Sequence, residues 1–109
     1  GDRLAAYIDG ALRLDERADL IAARCWVGVF AEAVRHPPLF AQMRRLIDNE
    51  LSTIRERSNG RLSESDAGAV LAFIIGALVL GAFAPRKTAG FAAPGLEKLV
   101  RALTTASTR

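Results

Sequence analysis

From Ala67 to Ala84 no side chain is charged or polar, and this run constrains the chain more than any other feature. Ser63, followed three residues later by Asp66, resembles a capping box, and Pro85 closes the run. A helix over about 64–84 is therefore predicted. At about 100° per residue, Val70, Leu71, Phe73, Ile74, Ile75, Leu78, Val79, Leu80 and Phe83 surround its axis, with no gap wider than about 60°. A helix apolar on every side needs cover on every side. Leaving four or five of these side chains wet forgoes on the order of 10 kcal/mol, comparable to the stability of a typical domain.

The rest of the chain supplies limited cover. With 109 residues, half of them apolar, it is read as one domain over residues 1–109. Apolar residues recur at helical spacing and no alternating strand-like run appears, so the fold class is all-α. Turn signals at Asp15, His36-Pro37-Pro38, Ser58-Asn59-Gly60, Pro85-Arg86-Lys87 and Pro94-Gly95 divide it into five helices. They run over about 2–14, 16–35, 38–57, 64–84 and 94–106. Residues 86–93 read as a Gly/Ala/Thr loop, and residues from Thr104 onward as a frayed end. In the second segment Leu20, Ile21, Cys25, Val29, Phe30, Ala33 and Val34 form the buried face. It stops at His36 because a residue preceding proline leaves the helical region. In the third, Leu39, Phe40, Met43, Leu46, Ile47, Leu51 and Ile54 face inward, and Arg44, Arg45, Asp48 and Arg55 outward.

Two short and two longer helices cannot enclose the central one, so an outside partner is expected. The simplest is the same helix of a second copy, through a twofold contact. Gly68, Ala72 and Gly76 lie on one stripe with Val79 and Phe83 and permit close approach. Two alternatives are a helix enclosed within its own subunit and a membrane span. The run reaches about 27 Å against a hydrocarbon core of roughly 30 Å. The other segments are amphipathic, however, and no membrane partner is expected.

Chemistry is sparse. One cysteine and one histidine exclude a disulfide framework and a multi-histidine metal site. No nucleophile elbow, phosphate loop or metal-spaced ligand set appears, so no catalytic residue, metal or cofactor is expected. His36 reads as a surface residue at a helix end, and Cys25 as a small buried hydrophobe. A net charge of +3 over a mixed surface gives no argument for DNA contact. Tyr7, Trp26, Phe30, Met43 and Phe73 are the bulky residues able to line a cavity between helices.

Three stretches carry a family likeness. They are Asp2-Arg3-Leu4, the run Arg24-Cys25-Trp26-Val27-Gly28-Val29-Phe30-Ala31-Glu32-Ala33 followed by His36-Pro37-Pro38-Leu39, and Phe73-Ile74-Ile75-Gly76-Ala77-Leu78. Over about residues 2–104 the chain resembles the C-terminal regulatory domain of TetR-family transcriptional regulators, in the betaine-regulator-like branch. Ile75 stands where that family usually has Asp. The resemblance implies a five-helix regulatory domain of a cytoplasmic repressor, not an enzyme. It also implies a homodimer joined in a four-helix bundle by the last two helices of each subunit, with Leu96, Leu99, Val100 and Leu103 joining the stripe above. A small, mostly apolar effector then binds among the preceding helices and the penultimate one. DNA is met only through an N-terminal helix-turn-helix domain, which the start at Gly1 leaves as an expected missing part. The alternative is a free-standing helical protein–protein interaction module.

Overall fold

The computed structural model describes residues 17–107, which form four helices: α1 (Arg17–Arg35), α2 (Pro37–Arg57), α3 (Glu64–Phe83) and α4 (Pro85–Ser107). No strand occurs among the described residues. The expected helix over 2–14 lies outside them. α3 packs against each of the other three helices, and α4 rests chiefly on α3. The result is a slab of 42 × 33 × 17 Å, no thicker than two stacked helices.

Local chemistry sets the helix ends. His36 is extended at φ −122° and ψ 109°, as its place before proline requires, and Pro37 takes the first turn of α2. α2 ends in a double reverse bond. Gly60 N–H donates to the Arg55 carbonyl at 3.1 Å and Asn59 N–H to the Glu56 carbonyl at 3.0 Å. Asn59 holds the left-handed position at φ 56° and Gly60 follows at φ 76°. The next turn is anchored by the buried Ser58. Its hydroxyl donates to the Arg55 carbonyl at 2.7 Å and accepts from Leu62 N–H at 3.3 Å, while Leu62 itself is fully buried. Ser63 then caps α3, accepting from Asp66 N–H at 3.1 Å.

Two expectations require correction. Residues 86–93 are not a loop but the first turns of α4, which is continuous from Pro85 to Ser107. Thr88, Ala92 and Leu96 recur every fourth residue and are all fully or almost fully buried against the slab. This stripe of mostly small residues holds the segment helical. The Thr88 hydroxyl also donates to the Ala84 carbonyl at 2.8 Å. Pro94 sits inside the helix, but it and Gly90, whose carbonyl loses its partner, are both solvent-facing, so water replaces the bond. Nor does the end fray at Thr104: its hydroxyl donates to the Val100 carbonyl at 2.9 Å within a helix that runs on to Ser107.

The core centres on α3, where Ala67, Val70, Leu71, Ile74 and Ala77 meet Ile54 of α2 and Ala92 and Leu96 of α4. Gly95 marks the tightest approach. A Cβ there would stand 3.2 Å from Cζ of Phe73, so the ring of α3 lies directly over the α4 backbone. α1 contributes less than its pattern predicts. Ala33 is buried, but Ile21, Cys25, Val29 and Val34 are exposed. The reason is position: among the described residues α1 packs chiefly on α2 and α3 and lies beside few other neighbours.

Replacing Ser58 with Ala should cost about 1–2 kcal/mol, because the buried Leu62 N–H then lacks an acceptor. A lower urea midpoint with an unchanged slope is the expected readout; an unchanged midpoint would show that the hydroxyl does not hold this turn.

Candidate interface and effector residues

The covered and uncovered sides of α3 divide cleanly. Ala67, Val70, Leu71, Ile74, Ala77, Gly81 and Ala82 are buried and fall within roughly 140° of arc. Ala69, Ala72, Gly76, Val79, Leu80 and Phe83 are exposed and fall within roughly 100° on the opposite side. Exposure rises toward the C-terminal end, from 37% at Val79 to 52% at Leu80 and 81% at Phe83. A Cβ added at Gly68 or Gly76 would meet nothing within 4 Å. Only a third of the most apolar stretch of α3 is buried within the chain. A helix enclosed by its own subunit is therefore overturned. α3 remains, by length and composition, long and apolar enough to cross a membrane.

The α4 residues expected at the same seam are placed differently. Leu96 is fully buried in its own subunit, and Leu99, Val100 and Leu103 pack, partly buried, against that same core. They face α3 because the Thr88–Ala92–Leu96 stripe sets the rotation of the helix. The outer side of α4 instead shows Phe91, Pro94, Lys98 and Ala102.

Among the aromatic candidates, Trp26 and Phe30 come together, with ring centroids 6.1 Å apart and planes tilted by 35°. Trp26 is exposed, Phe30 and Met43 half-buried. Phe73, also half-buried, sits at the α3–α4 contact over Gly95. Tyr7 lies outside the described residues. Leu39 and Phe40, expected to face inward, are both exposed at the start of α2, near in sequence to the α1 aromatics.

Polar groups add orientation rather than chemistry. Arg24 of α1 donates through Nε to the Ala82 carbonyl at 3.2 Å, giving the last turn of α3 a cation it otherwise lacks. Nothing in the sequence signals this contact, since its partners lie far apart along the chain. Leu80 and Ala69 are further members of the uncovered stripe, and their signal was already present in the helical wheel. Glu32 pairs with Arg35 at 2.7 Å and with His36 at 3.0 Å on an exposed turn, where such pairs contribute little. Cys25 is exposed, correcting its reading as a buried hydrophobe. Among the described residues no cluster of three or more His, Cys, Asp or Glu is placed to hold a metal ion.

No known family, characterised protein or solved structure matches the chain.

The rotation of α3 is open to direct measurement. Ile74→Ala should cost about 2–5 kcal/mol, as a buried truncation does. Leu80→Ala, measured at high dilution, should cost under about 1 kcal/mol. Equal losses at the two positions would contradict the division described above.

Proposed function

We propose that this chain is the effector-binding and dimerisation domain of a TetR-family transcriptional repressor. The observation that carries the reading is the uncovered apolar stripe of α3, with Gly76 at its middle. Such a stripe on a penultimate helix is what that family's subunit pairing calls for. The helix order and the quoted motifs support the same assignment. In this reading two subunits share the stripe through a twofold contact. Operator DNA is met by a separate helix-turn-helix domain, not by these helices.

The effector is a small, mostly apolar molecule held by Trp26, Phe30, Met43 and Phe73, with Tyr7. Repression is relieved by population shift: the effector binds more tightly to the arrangement that does not hold DNA. Tenfold tighter binding to one arrangement is worth about 1.4 kcal/mol of bias. Phe73 is well placed for this role. It lies against the α4 backbone at Gly95, so a ligand that turns its ring acts at once on α3, which carries the seam, and on α4 packed against it.

Gly76→Leu is the sharpest test of the pairing. The position is open within the subunit, and leucine is a better helix former than glycine by nearly 1 kcal/mol, so the subunit keeps its fold. Sedimentation equilibrium should show at least tenfold weaker association for the variant. A parent chain that sediments as a compact single subunit at tens of micromolar would sink the proposal. For the effector, Trp26 is the only tryptophan, so its emission is the probe. Titration with small apolar compounds should change it saturably, and Phe30→Ala should reduce the response.

A further inference from the structure

The proposed pairing leaves the direction of the two α3 helices undetermined, and the uncovered stripe itself supplies it. The stripe is graded in size. Gly68, Ala69 and Ala72 occupy its N-terminal half, Val79, Leu80 and Phe83 its C-terminal half, and Gly76 stands between. In a parallel pair, bulk would oppose bulk and small residues would face a gap. Turned antiparallel about Gly76, Leu80 of each copy lies over Ala72 of the other, and Phe83 over Ala69. Close packing favours that interdigitation.

The charges have the same polarity. Glu64 and Asp66 stand in the first turn of α3. Arg86 and Lys87, both exposed, follow immediately after its last turn. Arg61, the nearest basic residue in sequence to the acidic end, turns its Nε to the Ser58 carbonyl at 3.1 Å. A parallel pair would set acid beside acid and base beside base. An antiparallel pair brings the acidic end, Glu64 and Asp66, level with the basic end, Arg86 and Lys87, of the other copy, and it also opposes the helix dipoles.

We infer that a second copy of this chain docks antiparallel on α3, centred on Gly76, with the bulky end of each helix seated on the small-residue end of the other. This rests on the pairing proposed above and adds its direction and register.

Disulfide trapping tests it. The background is Cys25→Ser, because Cys25 is itself exposed. Mass-tagged Ala72→Cys chains are mixed with Leu80→Cys chains and mildly oxidised; a disulfide forms only where Cβ atoms come within about 4.5 Å. The mixed 72–80 product should exceed either like pair at least tenfold. An excess of like pairs, or no trapping in a chain that still sediments as a dimer, overturns the direction while leaving the pairing intact. A parent chain that remains monomeric, or that associates only with a different protein or with lipid vesicles, overturns both. Charge reversal gives an independent readout that leaves the stripe untouched. Arg86→Glu with Lys87→Glu should weaken association about tenfold at low salt, and adding Glu64→Lys with Asp66→Lys should restore it. A dimer that the second pair of changes does not restore refutes the antiparallel register.

Discussion

The structure turns on a mismatch between one helix and its cover. α3 is apolar around its whole circumference, yet only three described helices are available to it, and they lie in a thin slab. A helix in such a slab has neighbours over part of its arc and none over the rest. The neighbours settle against one arc, so Val70, Leu71 and Ile74 are taken into the core with Ala67 and Ala77, while Ala72, Gly76, Val79, Leu80 and Phe83 are left outward. Hydrophobic burial fixes the rotation of α3 more firmly than any polar contact, since each large side chain removed from water contributes roughly 1.5–3 kcal/mol.

Polar contacts instead fix where α3 begins and ends. Ser63 and the buried Ser58–Leu62 turn hold its N-terminal end, and Arg24 reaches the Ala82 carbonyl at the other. Each contributes on the order of 1 kcal/mol, a modest sum beside the core. Their effect is positional. They stop the helix from sliding along its axis, a motion that an evenly apolar surface would resist poorly. The proposed seam, whose fit depends on which residue lies opposite Gly76, would need that axial lock.

Among the described residues, helix existence was legible wherever the pattern contained large apolar residues. The boundaries at His36-Pro37, Ser63 and Pro85 follow from backbone restriction and capping, which act locally and are therefore written locally. The start of α4 was not legible, because Thr88 and Ala92 carry the i, i+4 signal in side chains too small to register as a hydrophobic stripe. Glycine and proline nearby read as loop for the same reason, although Gly95 serves a close helix contact. The uncovered stripe of α3 was legible as a row of small residues. Which way α4 turns its leucines was not, since Leu96 could serve a core or a seam equally well by pattern. Only the packing of Thr88 and Ala92 decides it. Exposure along α1 was likewise hidden: periodicity shows that a face is apolar, not how many neighbours that face will find.

In the proposed pairing, the seam is suited to act as a switch. Because Leu96 is buried and Leu99, Val100 and Leu103 pack partly buried against their own core, the surface left for the proposed pairing centres on α3. A narrow seam with small residues at its middle has little side-chain interlocking there to resist rotation. Gly76 allows backbones to approach without fixing an angle, whereas the bulky residues near the C-terminal end fix register by fit. Under the proposed function, an effector acting at Phe73 would bear on α3 and α4 together, at a level between the two halves of the stripe. In the proposed repressor it would therefore change the crossing angle without breaking the contact, giving the DNA-binding domains a changed spacing at constant stoichiometry.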